Sequence, residues 1–197
     1  MAALTIDIHA IAGLGNPGAQ YSETRHNAGF WFVDELARRC QQGFRTEARF
    51  HSEIARCVLE GRECRLQKPQ TFMNRSGQAV RGLTQFFRIP IEQILVVHDE
   101  LDLPAGTIRL KKGGGHGGHN GLRDLISQLG SRDFHRLRVG IDHPGHKDRV
   151  VDYVLKKPGK QERRVIDEAI DAALEVMPAV IGGHMDKAMH QLHSPNK

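Results

Sequence analysis

The sequence predicts an α/β fold: a single domain with a twisted, mixed, mostly parallel β-sheet flanked by helices on both faces. Three observations carry that reading. Short apolar runs alternate with longer segments of helical periodicity. One pair of runs is separated by a hairpin signal. The 197 residues contain no repeat, low-complexity segment or long linker, so one domain spans 1–197.

Taken in order, Ile6 to Ala12 (IDIHAIA) reads as a strand that ends at the glycine-rich turn Gly13 to Gly18. Phe30, Val33, Leu36, Ala37 and Cys40 recur at helical spacing, which predicts an amphipathic helix over Asn27 to Gln41. Ile54 to Leu59 and Cys64 to Gln67 flank Glu60-Gly61-Arg62-Glu63 and form the hairpin. Asn74 or Ser76 is placed to cap a helix carrying Val80, Leu83, Phe86 and Phe87, which stops before Pro90. The continuous apolar run Ile94 to Val97 is a buried strand, and Thr107 to Leu110 is another strand candidate. A glycine run precedes a helix from Gly121 to Leu129, followed by a strand over Arg136 to Ile141. From Gln161 the tail is helical, with Val165, Ile166, Ala169, Ile170, Ala173 and Leu174 on its apolar face and Pro178 as a break.

Composition narrows the function classes. No stretch approaches the roughly 20 apolar residues of a membrane helix. The opening MAALTIDIHA lacks the basic start and apolar core of a secretory signal. Cys40, Cys57 and Cys64 form no C-x-x-C pair; Cys57 and Cys64 can face each other across the hairpin, but reduced, partly buried thiols are the favoured reading. These features point to the cytoplasm. The formal charge of +5 is unevenly spread: Thr107 to Arg164 holds 14 Lys+Arg against 6 Asp+Glu, and the remainder is net acidic. A local surplus of this size suits contact with a phosphate backbone, although charge alone is equally consistent with a solvated surface.

Four segments could carry chemistry. Gly13-Leu14-Gly15-Asn16-Pro17-Gly18 formally satisfies G-x-G-x-x-G after a strand, the pattern of a dinucleotide site. Pro17 removes a backbone donor, the residues after Gly18 are polar, and no acidic residue closes a second strand about 20 residues later. The cofactor reading is therefore set aside. His26, in a loop after the first strand, lies where open α/β sheets place their ligand crevice. Asp99 ends the run ILVVH and can reach the same edge, where a carboxylate on one ring nitrogen makes the other a base toward water. An ordinary turn aspartate is the plainer account of Asp99 taken alone.

The run Gly113 to Gly121 has six glycines in nine residues, which lets a ligand lie against backbone just before a helix N-terminus. Within it, His116 and His119 lack further metal ligands at fitting spacing, and Asn120 offers an amide for a carbonyl or oxyanion. In Lys68 to Gly77, Phe72 and Met73 can form an apolar wall beside Asn74, a combination suited to a base or ribose at a single-stranded end. Ser76 lacks the strand-turn-helix elbow of a serine nucleophile.

Together these blocks resemble the bacterial-type peptidyl-tRNA hydrolases. The matching runs are GLGNPGAQYSETRHNAGF, KPQTFMNRSGQAV, VVHDELDLPAGTIRLKKGGGHGGHNGLRD and FHRLRVGI, in the family's order from Gly13 to about Ile141. Beyond Asp142 only DYVL, Asp152 to Leu155, matches faintly. The resemblance implies hydrolysis of the ester joining a peptide to the 3′ ribose of tRNA. It makes His26 the proton acceptor for water, Asp99 the residue that holds it, and Asn16 the reader of the first peptide group. Tyr21, Phe72, Met73, Asn74, His119 and Asn120 would line the site for the tRNA 3′ end and peptide. Lys111 and Arg138 would clamp phosphate, while nothing transfers to Lys112. The family implies a monomer with no cofactor and no metal. Two rivals are an RNA-binding module without catalysis, which leaves His26 and Asp99 unemployed, and a serine or metal-dependent esterase.

Overall fold

The computed structural model describes residues 6–194, so the part of the leader reading that rests on Met1 to Thr5 lies outside the described residues. Seven strands form one sheet: β1 (Ala10–Gly13), β2 (Arg45–Glu47), β3 (Ser52–Leu59), β4 (Arg62–Pro69), β5 (Ile94–Glu100), β6 (Ile108–Lys112) and β7 (His135–Gly140). Their order is β2-β3-β4-β1-β5-β7-β6. The four central strands, β4, β1, β5 and β7, run parallel. Antiparallel pairings add β3 and β2 at one edge and β6 at the other.

Seven helices cover the sheet: α1 (Ala28–Arg39), α2 (Ser76–Phe86), α3 (Asn120–Leu129), α4 (Val150–Val154), α5 (Lys160–Glu175), α6 (Met177–Ile181) and α7 (Met185–His193). Because side chains alternate along a strand, β5 feeds both faces. Leu95 and Val97 join α1 and the C-terminal helices through Phe32, Val33, Ile166, Ile170 and Met177. Ile94 and Val96 join α2 and α3 through Val80, Leu122 and Leu125. A strand buried on both sides reads as the unbroken run ILVV for this reason. The predicted single α/β domain with helices on both faces is what the chain forms.

Several details differ from the sequence reading. The first ladder begins at Ala10 rather than Ile6; Ile8 and His9 instead donate to the carbonyls of Ile181 and Gln93. Neither Asn74 nor Ser76 caps α2: Ser76 is its first residue and donates Oγ–H back to the Met73 carbonyl. The acceptor comes from α3, where Asp124 Oδ2 takes the Gly77 N–H at 2.8 Å. Pro178 does mark a break, but it sits in the first turn of α6, where a missing N–H costs nothing. The exposed strand β2 and the single-turn helix α4 have no apolar period long enough to announce them.

The cysteines also differ. Cys57 and Cys64 stand opposite each other in the β3–β4 register. Yet Cys57 is disulfide-bonded to Cys40 at the end of α1, with Cα atoms 5.4 Å apart. The expectation of three reduced thiols is corrected: α1 lies over this face and brings Cys40 to Cys57, which leaves Cys64 as a buried free thiol. Burial pushes the Cys64 pKa up, so it is a thiol rather than a thiolate.

Candidate active site

Five segments meet beyond the carboxyl ends of the parallel strands, the place where open α/β sheets form a crevice. They are the turn after β1, the short turn Arg25–Asn27 before α1, the turn Met73–Arg75 before α2, the end of β5, and the glycine run before α3. The first two glycines of the β1 turn are explained by packing. A Cβ on Gly13 would lie 2.3 Å from the Gly29 carbonyl oxygen, and one on Gly15 would strike the Phe30 ring at 2.7 Å. Gly29 is equally confined: a Cβ there would lie 2.4 Å from Leu14 N and from the Val97 carbonyl oxygen. These positions let the start of α1 press onto the ends of β1 and β5, which delivers His26 to Asp99.

Asp99 is 3% exposed and ends the buried part of β5. His26 Nδ1 lies 3.0 Å from Asp99 Oδ1 and 2.9 Å from Oδ2. A carboxylate only accepts, so Nδ1 carries the proton and donates, which leaves Nε2 of the neutral ring unprotonated. The His26 side chain is 12% exposed, enough for one edge to meet solvent. Burial opposes the imidazolium, but the charge and hydrogen bond of Asp99 outweigh it and hold the His26 pKa above 6.5. Asp99 itself resists burial because both histidines bond its carboxylate, which keeps it well below the ordinary aspartate range. His98 donates Nδ1–H to the Asp99 carbonyl at 2.7 Å, and burial pushes its pKa down to about 3, so it is neutral.

Asn16 is clamped from two sides. Its backbone N–H donates to Asn27 Oδ1 at 2.9 Å, and its carbonyl accepts from Asn27 Nδ2 at 3.0 Å. Its side-chain Oδ1 accepts the Met73 N–H at 2.8 Å. With Oδ1 taken, the amide has only Nδ2–H groups to offer, which suits it to a carbonyl rather than an ammonium. Met73 is buried, and its sulfur occupies the space a Cβ on Gly121 would need.

The other predicted residues are placed as follows. Tyr21 and Phe72 meet edge to face at 6.3 Å, and Phe72 is 58% exposed. Asn74 and Asn120 are exposed; Asn120 Oδ1 accepts from Arg123. His119 turns toward Asp99, with Nε2 at 2.9 Å from Oδ1. Arg138 donates Nε–H to Glu100 at 2.9 Å. Lys111 is exposed on β6, opposite Arg136 of β7. The ligand atoms of His26, Asp99 and His119 lie within 4.8 Å of one another, the proximity a cation needs. Each contact here is satisfied by a proton, since both imidazoles point an N–H at the carboxylate.

Sequence reasoning missed three supports. Asn27, beside His26, is the clamp on Asn16. Arg25 is buried, pairs bidentately with Glu162 at 2.6 and 2.7 Å, stacks on Tyr153 and donates to the carbonyls of Tyr153 and Lys156. Arg136 reaches into the glycine run and donates to the carbonyls of Gly115, at 2.6 Å, and Gly114. Arg25 and Asn27 lie inside the run TRHN, which was the available signal; nothing local pointed to Glu162.

An imidazole with one nitrogen on a buried carboxylate is an arrangement found in hydrolases. Residues 10–197 match the family model described as peptidyl-tRNA hydrolase. The peptidyl-tRNA hydrolase of Halorhodospira halophila is 57% identical over 184 residues, which is 93% of this chain and 95% of the relative. That of Neisseria meningitidis is 53% identical over 187 residues, 95% of this chain and 97% of the relative. The crystal structure of peptidyl-tRNA hydrolase from Acinetobacter baumannii superimposes with a TM-score of 0.94 at 47% identity, covering 98% of both chains. The chain belongs to the peptidyl-tRNA hydrolase family.

Proposed function

We propose that this chain hydrolyses the ester between a peptide and the 3′-terminal ribose of tRNA, with His26 as general base and Asp99 as the group that holds it. The observation that carries the reading is the His26–Asp99 contact, which fixes the proton on Nδ1 and frees Nε2. Nε2 takes a proton from water as the water oxygen attacks the ester carbonyl carbon. The resulting oxyanion collapses, the bond to the ribose oxygen breaks, and that oxygen takes the proton back from the imidazolium. General-base catalysis contributes about 10²–10⁴-fold, and amide donors to the oxyanion add to it.

Asn16 is the discriminating group in this reading: its Nδ2–H meets the first peptide carbonyl, which a free amino acid lacks. Tyr21, Phe72, Met73, Asn74 and Asn120 line the region for the tRNA end and peptide, and Lys111 and Arg138 engage phosphate. The substrate is made during translation, which places the protein in the cytoplasm, acting as a monomer without cofactor. Among the described residues no helix is long and apolar enough to cross a membrane.

The test is release of peptide from an N-blocked aminoacyl-tRNA compared with its free-amine counterpart. The blocked substrate is expected to turn over, the free amine not, and chelator to leave the rate unchanged. His26→Ala is expected to abolish turnover with tRNA binding nearly intact; turnover retained in that variant sinks the mechanism.

A further inference from the structure

Asp99 has a second imidazole partner whose orientation is set by a helix. His119 is the N-cap of α3, and its Nδ1 accepts backbone N–H groups from Gly121 at 3.1 Å and Leu122 at 3.3 Å. A ring nitrogen accepting N–H carries no proton, so the ring's single proton is on Nε2. Nε2 faces Asp99 Oδ1 at 2.9 Å. Asn, Asp, Ser and Thr are the usual N-caps because one oxygen satisfies the orphan N–H groups. Histidine differs in having a second nitrogen on the far side of its ring, and here that nitrogen is spent on the carboxylate.

We propose that His119 is a positioning residue for the hydrolytic centre: the N-terminus of α3 locks its tautomer, and its Nε2–H pins Asp99 Oδ1 so that the carboxylate meets His26 Nδ1 in one orientation. The ring is largely enclosed, with its side chain 10% exposed. The His98 ring meets it edge to face with centroids 5.1 Å apart, and the His26 ring lies at the same distance. Gly121 lies under it, where a Cβ would approach His119 Cε1 to 3.1 Å. The titratable and charged groups around it are Asp99 and His98 on β5, His26 on the turn before α1, and Arg123 one turn along α3. Arg123 is held by Asn120. His119 therefore acts as a neutral donor that disperses part of the Asp99 charge. Losing it leaves a buried carboxylate lone pair without its donor and concentrates the remaining charge on His26.

This inference rests on the reading of His26 as base, and two isosteric variants of the full chain test it. His119→Asn reproduces the position of Nδ1 and keeps the cap, but is too short to reach Asp99. Its melting midpoint is expected to stay near that of the parent. On N-blocked aminoacyl-tRNA its kcat falls about tenfold while KM changes little, the scale of one lost hydrogen bond. The acid limb of its pH–rate profile and the His26 ring titration followed by NMR both move to higher pH. His119→Gln reproduces the position of Nε2 and gives the opposite pattern: a lower melting midpoint with the His26 titration near that of the parent. A His26 titration unmoved in His119→Asn overturns the proposal, as does a raised KM at unchanged kcat, which would make His119 a substrate contact. Because the NMR titration does not depend on turnover, it separates this proposal from the base assignment, which His26→Ala tests alone.

Discussion

At the scale of single residues, the Asp99 carboxylate decides how His26 behaves with pH. Burial disfavours the imidazolium, yet the adjacent charge and hydrogen bond raise the His26 pKa above 6.5. A general base must be unprotonated, so kcat/KM is expected to fall as pH drops through that raised value. Replacing Asp99 with Asn removes the charge, which should move the acid limb to lower pH and lower kcat by about 10²-fold or more. A pH–rate profile checks both effects, and a limb that stayed in place would assign it to another group. Asn16 depends on the same logic of committed atoms: the Met73 N–H engages its oxygen, so in the proposed reading its N–H groups are the ones offered to a substrate carbonyl. His26 and Asp99 were readable as candidates because each lies near a strand end. The commitment of Asn16 Oδ1 was not, because its partner is a backbone N–H 57 residues away.

Among the elements, the C-terminal helices gain a role that their amphipathic pattern did not suggest. Arg25, adjacent to His26, holds Glu162 of α5, the Tyr153 carbonyl within α4 and the Lys156 carbonyl just after it. The turn carrying His26 is thereby tied to a part of the chain with almost no motif that the sequence reading recognised. Arg25→Ala is expected to cost about 3 kcal/mol, the loss typical of removing one partner from a largely buried pair. Arg25→Lys should recover only part, since an ammonium cannot reproduce the two-point contact with Glu162. Denaturant midpoints at unchanged slope measure both. The longer helices were legible in the sequence, with α1 and α3 found within one or two residues, whereas the single-turn α4 was not. Their ends were less so, because the acceptor at the start of α2 comes from Asp124 on another helix.

Over the whole molecule, the basic section is thinned by pairing. Arg138, Lys157, Arg163 and Arg164 pair with Glu100, Glu23, Asp167 and Glu168, all outside the section that holds the surplus. Arg136 turns inward to the glycine run. Lys111 and Lys112 are exposed and have no carboxylate partner among the described residues. On β6 and β7, Arg109 stands opposite Arg138 and Lys111 opposite Arg136, so the four share one face. Replacing Lys111 and Arg138 together is expected to weaken tRNA binding and flatten its salt dependence by about 0.7–0.9 log units per lost phosphate contact. Binding measured across a salt series tests this, and an unchanged slope would remove both residues from the phosphate interface.

The sequence by itself determined the succession of the main strands and helices, the apolar faces that pair them, the family, and the nomination of His26 with Asp99. Each of these is written in local period or in contiguous motifs, where neighbouring residues constrain one another directly. Only the tertiary structure decided that His119 faces the carboxylate, that Arg25 reaches Glu162, that Arg136 clamps the glycine run, and that Cys57 joins Cys40 rather than the Cys64 opposite it. Those outcomes depend on which surfaces come together after long separations in the chain. Hydrogen-bonding capacity, unlike apolar periodicity, leaves no repeating trace from which a distant partner can be read.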